Sequence, residues 1–209
     1  MEIELRDFRL EDAADAIAFA IEGMHFRRYT DNPLLVDILL GRYYLYLSLE
    51  SATQAVAAYT EDGKLAGVLF GEFKGEKKKY RSSLRGIFLK CVNLLRYFYF
   101  HGTESIYFAV NERMLEAYGK PTDGEYTFLA VDPELRMHGI GERLLQEMEH
   151  REAGKRVFLF TDSDCSHPFF DHHGFQRVGE ECIEMRSGTR KFPLECMLYV
   201  KELPESEGA

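Results

Sequence analysis

Arg136, Gly139 and Gly141 carry the clearest chemical signal in the chain. They stand in LRMHGIGERLLQEME, just after an apolar run has stopped at Asp132-Pro133 and where helical spacing takes over. A helix start leaves its first backbone N–H groups without intrahelical partners and carries partial positive charge. Glycines at that point let the backbone approach a bulky anion, so the pattern reads as a phosphate cradle. It is neither of two common kinds. A P-loop needs GxxxxGK[ST], and no Lys-Ser or Lys-Thr follows Gly141; a dinucleotide fingerprint needs GxGxxG, and Arg143 and Leu144 stand where its spacing would continue.

A second chemically rich stretch is DSDCSHPFFDHHGF, from Asp162 to Phe175. Asp, Cys and His are all zinc ligands, but their spacing repeats neither CxxC nor HxxxH and lacks the run of a calcium loop, so no metal is expected. The polar residues read instead as a helix entry, with Asp164 or Ser166 as the cap.

With its flanks, LAVDPELRMHGIGERLL resembles the acyl-CoA-binding segment of the GNAT acetyltransferase superfamily, whose pattern is [R/Q]xxGx[G/A]; Arg136, Gly139 and Gly141 occupy its three fixed positions. FFDHHGF resembles a second family segment, and the resemblance covers most of the chain outside 74–123. It implies a strand that splays from its neighbour, with Leu129 and Val131 pairing with the pantetheine arm of acetyl-CoA. The pyrophosphate would sit on the backbone of Met137, His138, Gly139, Ile140 and Gly141. Arg136 would cover it from the side or serve only a helix-end or surface pairing. Ser163, Ser166 and Phe170 would border the donor where the family has asparagine, alanine and tyrosine.

The implied reaction moves acetyl from acetyl-CoA to a primary amine by direct attack in a ternary complex. The ammonium must lose a proton and the departing thiolate must gain one. Glu125 stands where the family often has a glutamate base, and strand alternation puts it on the face of Thr127, Leu129 and Val131. A solvated strand-end glutamate, with a water-mediated proton path, is the plainer account. The acid is where this chain departs from the family: Phe170 replaces the usual tyrosine and cannot donate a proton. His172 and Cys165 are the nearest substitutes in sequence. The alternative function is an acyl-CoA-binding sensor or interaction module with little catalysis, and Phe170 is the residue that favours it.

The rest of the sequence must position these groups. Its 209 residues suit one α/β domain, 1–209. The pattern gives strands alternating with helices and an insertion between strands 3 and 4. The resemblance implies a mixed, mostly antiparallel central sheet flanked by helices, a GNAT-like fold with that helical insertion. Asn32-Pro33 opens a helix, Glu61-Asp62-Gly63 turns a hairpin, and Ser187-Gly188 joins two closing strands; 203–209 reads as a frayed tail. The insertion, 74–123, begins with a basic and aromatic stretch in which eight Lys and Arg face the single Glu76 across 74–101. Its Tyr97-Phe98-Tyr99-Phe100 run would line the acceptor site or pack on the body of the protein. A basic segment before an apolar helix also reads as an interfacial anchor, but LRGIFLKCVNLLRYFYF is apolar round too much of its circumference for that. An exposed face there would more readily pair with a second subunit as a homodimer.

The formal charge of −9 argues against nucleic acid and suits a small-molecule amine as partner. Four separated cysteines, no export signal and no span-length apolar run read as a cytoplasmic protein.

Overall fold

The computed structural model describes residues 2–100, 103–187 and 189–205, with the side chains of all but Thr103, Glu104, Arg136 and Met137. After β1 (Ile3–Asp7) and α1 (Ala13–Gly23), the Asn32 side chain accepts from the Leu34 and Leu35 amides at 3.0 and 3.4 Å and starts α2 (Pro33–Leu35). The helix widens into a π-wound stretch, Val36–Gly41, and continues as α3 (Arg42–Ser51). The hairpin β2 (Gln54–Thr60) and β3 (Leu65–Phe73) follows, then α4 (Ser83–Tyr99) and α5 (Thr103–Tyr118). The remainder alternates: β4 (Gly124–Val131), α6 (Ile140–Arg151), β5 (Arg156–Asp162), α7 (Pro168–His172), β6 (Gln176–Ser187) and β7 (Arg190–Glu202).

The strands form one sheet in the order β1-β2-β3-β4-β5-β7-β6, antiparallel except for β4 beside β5. That parallel pair holds only at Gly124↔Val157 and Glu125↔Phe158. Beyond it β4 stays with β3 as far as Val131, β5 stays with β7 as far as Asp162, and the two strands part. The sheet is thus two half-sheets joined at one short seam. One face carries α1, α3 and α5 over Tyr59, Phe70, Phe128 and Phe158; the other carries α6 over Val56, Leu69, Tyr126 and Leu159.

Four expectations change. In β4, Tyr126 pairs with Gly71 and Phe128 with Phe70, so Thr127 is an extra, bulged residue. A bulge shifts strand parity by one: Glu125 shares the α1/α5 face with Phe128 and Ala130, while Leu129 and Val131 face α6. Second, Leu203 is buried, its amide bonded to Lys155 O, and Pro204 O accepts from Gly154 N, so the tail is anchored there; residues 206–209 lie outside the described residues. Third, α4, read as apolar round too much of its circumference for a surface helix, lies with one side on the body of the protein and the other in solvent. Val92 and Arg96 are buried against α3, whereas Leu84 and Phe98, 80% and 67% exposed, face solvent with Ile87, Leu94 and Leu95. Fourth, neither Asp164 nor Ser166 caps α7 through its side chain; the cap position is His167, and the Asp164 carboxylate is taken by Arg28. Ser187 pairs with Arg190 across the closing hairpin, and Gly188 lies outside the described residues.

Candidate functional site

The splay of β4 from β5 opens a cavity of about 770 Å³ that passes from one face of the sheet to the other. On the α6 face it is lined by Leu129, Val131, Gly141, Ser166, Phe169 and Phe170. On the α1/α5 face the wall is Phe26, Tyr29, Tyr44, Phe100, Tyr107 and Asn111. Glu125, Thr127, Asp162 and Cys165 stand along the lips between them.

The α6 face is made by local backbone chemistry. Asp132 accepts from the Glu134 amide at 2.9 Å and starts a tight turn, Pro133–His138. Gly139 then reverses the chain at φ +69°, a left-handed conformation that favours glycine, and α6 begins. Its first helical bond is Arg143 N to Gly139 O at 3.1 Å, so the amides of Ile140, Gly141 and Glu142 have no acceptor within the helix. The Ile140 side chain is fully buried with Leu144 and Leu145, which fixes the helix axis against the sheet. At Gly141 an added Cβ would stand 3.1 Å from the Phe169 ring, so glycine keeps this corner open beside the cavity. His138 is exposed on the same turn; Arg136 and Met137 lie in it, and their side chains are outside the described residues.

The opposite face is built from side chains. Glu125 is half-buried and directly opposite Glu72, and both line the cavity. Burial, reinforced by the Glu72 charge, pushes the Glu125 carboxyl up to about 7. Glu72 itself is paired with Lys78 at 2.9 Å. At the far end of β5, Asp162 lies close to the Tyr29 and Tyr107 hydroxyls, whose pKa values burial and the Asp162 charge both raise. Arg96, fully buried, donates to the Tyr44 hydroxyl at 3.2 Å and lies over the Tyr43, Tyr44 and Phe100 rings, so its charge is held against this aromatic wall.

One loop bridges the split on this side. His25, in a left-handed conformation, shares a 2.8 Å hydrogen bond between Nδ1 and Asp164 O. Arg28 pairs with the Asp164 carboxylate, and Ser187 Oγ donates to Tyr29 O. The connection from α1 to α2 is thereby tied to the second half-sheet.

Of the other residues singled out in the sequence, Cys165 lines the cavity but interacts with Asp162, and burial raises its thiol well above the ordinary range. His172 is exposed on α7 and is not among the lining residues; Ser163 is exposed, with its Oγ accepting from the Glu195 amide at 3.2 Å. From the aromatic run, Phe100 reaches the cavity while Tyr97 and Phe98 are exposed. Sequence reasoning missed Tyr29, Tyr44, Tyr107, Asn111 and Asp162, aromatic and polar residues whose types carry no spacing signal. Among the described residues no group of three or more His, Cys, Asp or Glu is placed to hold a metal ion, and no helix is long and apolar enough to cross a membrane.

A mixed sheet split between its fourth and fifth strands, with a glycine-bearing helix start on one side of the split, defines an acyl-CoA acyltransferase type of fold. A family model described as the acetyltransferase (GNAT) domain matches residues 102–177. The solved structures with this fold include three of particular note. A histone acetyltransferase HPA2 and related acetyltransferase from Corynebacterium glutamicum is 15% identical, covers 100% of this chain and 99% of its own, and has a TM-score of 0.53. Arylalkylamine N-acetyltransferase 2 from Aedes aegypti is 15% identical, with 97% and 100% coverage and a TM-score of 0.56. An agmatine N-acetyltransferase is 15% identical, with 97% and 100% coverage and a TM-score of 0.52. No curated protein matches the sequence. Residues 102–177 thus match the GNAT acetyltransferase domain, and the chain as a whole has the fold of solved GNAT acetyltransferases.

Proposed function

We propose that this protein is an N-acetyltransferase that moves acetyl from acetyl-CoA to a primary amine within a ternary complex. The observation that carries the reading is the cavity through the split sheet, with a helix-start cradle at one mouth and Glu125 between the two faces. The donor's pyrophosphate would rest on the backbone from Met137 to Gly141, where the Ile140 and Gly141 amides have no acceptor within the helix. Its pantetheine arm would lie along Leu129 and Val131, whose strand has lost its β5 partner. Arg136 is assigned to the side of the pyrophosphate.

Glu125 is the base, directly or through one water. At about 7 its pKa suits the task, because the carboxylate is present at neutral pH yet basic enough to accept the ammonium proton. The freed amine attacks the thioester carbonyl, and main-chain N–H groups near the Thr127 bulge would receive the developing oxyanion. Ser48 Oγ already occupies the Thr127 carbonyl at 3.2 Å. As the tetrahedral intermediate collapses, the C–S bond breaks and CoA thiolate leaves. Phe170 supplies no proton, Cys165 is turned to Asp162, and His172 is away from the cavity, so the thiolate takes its proton from solvent.

Phe170 also favours a second reading, an acyl-CoA-binding module with little turnover. Calorimetry with acetyl-CoA and thiol release across an amine panel separate the two. Binding with turnover supports the enzyme, binding without turnover supports the module, and no binding removes both.

A further inference from the structure

Three unabsorbed features stand out: the exposed apolar arc of α4, the loop that bridges the split, and the polar end of the cavity at Asp162. Nothing in the structure says what covers the arc, and the bridging loop has only one observed state. The third carries an argument, which rests on the N-acetyltransferase reading and extends it to the acceptor.

Asp162 lines the cavity, and among the described residues no Lys or Arg forms an ion pair with it, the nearby Arg28 being paired with Asp164. Asp162 Oδ1 accepts the Asp164 amide at 2.9 Å, and the remaining groups that favour its ionised form are the backbone and thiol of Cys165. No Lys or Arg is among them, and burial raises its pKa. Close by, Asn111 is only 5% exposed, lines the same cavity, and its Oδ1 has no hydrogen-bond partner. A buried acceptor left unpaired is costly, and a donor entering the cavity, from a ligand or a water, would satisfy it. Tyr107 ties the two together, since its hydroxyl feels both the Asp162 charge and the Asn111 side chain. Tyr29 and Tyr44 complete an aromatic wall around them. A carboxylate, an unpaired amide oxygen and tyrosine rings together recognise a cation that carries N–H donors.

The same face of the sheet holds Glu125, so the cavity has a carboxylate near each end. Glu125 is level with Phe158, and Asp162 lies four residues further along β5. At the strand rise this separates them by about 13 Å. Allowing about 3 Å from each carboxylate to a bound nitrogen, the span between two nitrogens is about 7–10 Å.

We propose that the acceptor is a long-chain dication, a diamine or an amine ending in a guanidinium, whose reacting nitrogen meets Glu125 while its second cation docks on Asp162 and Asn111. The spacer is about five to seven carbons, extended along the aromatic wall. A shorter diamine cannot reach both ends, and a monoamine leaves the Asn111 oxygen to water.

The test is thiol release from acetyl-CoA with straight-chain α,ω-diamines from butane to octane, each beside the monoamine of equal length, and with phenethylamine. The expected result is a diamine-to-monoamine ratio in kcat/KM of at least about tenfold, expressed in KM and greatest for the five- to seven-carbon diamines. Asp162→Asn should bring that ratio close to one. Asn111→Leu should lower it several-fold, which provides a second reading should Asp162→Asn fold poorly by circular dichroism. A flat ratio across the series, a preference for phenethylamine, or an unchanged ratio in both folded variants overturns the dication assignment and leaves the acetyltransferase reading standing. No turnover of any amine, including peptides and arylalkylamines, overturns both.

Discussion

The two mouths of the cavity recognise their occupants by different means. The α6 mouth is backbone: a capped turn, a left-handed glycine and three unpaired amides within about a dozen contiguous residues, 132–142. The α1/α5 mouth is side chain: Tyr29, Tyr44, Tyr107, Asn111, Glu125 and Asp162 come from elements spread over more than half the chain. Backbone recognition fixes residue spacing, because only certain residues permit the chain path. Side-chain recognition across separate elements fixes none. Under the proposed function, the shared donor would be met by the mouth that a motif can describe, and the acceptor by the mouth that only the fold assembles.

The largest effect should come from breaking the backbone mouth. Gly139→Glu puts a bulky anion at a left-handed position beside the cradle, and calorimetry should show acetyl-CoA affinity reduced by at least about 100-fold, or about 2.7 kcal/mol. Affinity within a few-fold of the native protein would deny the cradle its role. The counterpart on the other side is Glu125→Gln. It should lower kcat/KM by about 10²–10³-fold while acetyl-CoA still binds, since only the proton acceptor is lost. In the native enzyme kcat/KM should rise with pH through about 7, as the Glu125 carboxyl ionises, and this limb should vanish in the variant.

A smaller effect is expected from Phe170→Tyr, which adds a proton donor to a ring that now packs on Phe169, Phe175 and Tyr199. The rate should increase by a few-fold; an unchanged rate would show that thiolate protonation does not limit turnover. The smallest effect is on stability. The native state holds the Glu125 proton up to about 7, whereas the unfolded chain releases it near the ordinary glutamate value of 4.5. The folded state therefore loses stability as pH rises between those values, by an amount on the order of 2 kcal/mol. Glu125→Gln removes that loss, so its Tm should exceed the native Tm at pH 8.5 and match it near pH 4. Equal Tm values at both pH values would mean Glu125 is not buried enough to act as the base described.

How much of this was legible in the sequence follows the same division. Arg136, Gly139 and Gly141 were readable because their spacing is dictated by a chain path, and the strand and helix order followed from hydrophobic periodicity. The placement of Glu125 was read on the wrong face, because the bulge at Thr127 shifts parity and threonine gives no sign of it. The aromatic wall was illegible for another reason. Tyr29, Tyr44 and Tyr107 have the residue type of ordinary packing, and only the route of α5 and the α1–α2 connection turns them toward a cavity. Which side of α4 is exposed was illegible because apolar residues stand round most of the helix, and only the position of α3 decides that Val92 and Arg96 are covered while Leu84 and Phe98 are not.

The two-rung seam has a mechanical consequence. The N-terminal strand belongs to one half-sheet and the C-terminal strand to the other, so within the sheet tension between the chain ends is carried across Gly124↔Val157 and Glu125↔Phe158. Outside it, α5 on β6, the Arg113–Glu181 pair and the His25 and Arg28 contacts to Asp164 tie the halves. The shortest ladder in the sheet is thus the line along which its two substrates would meet. A molecule bridging the lips of that line would act as a staple, and its presence would register as added resistance to pulling the halves apart.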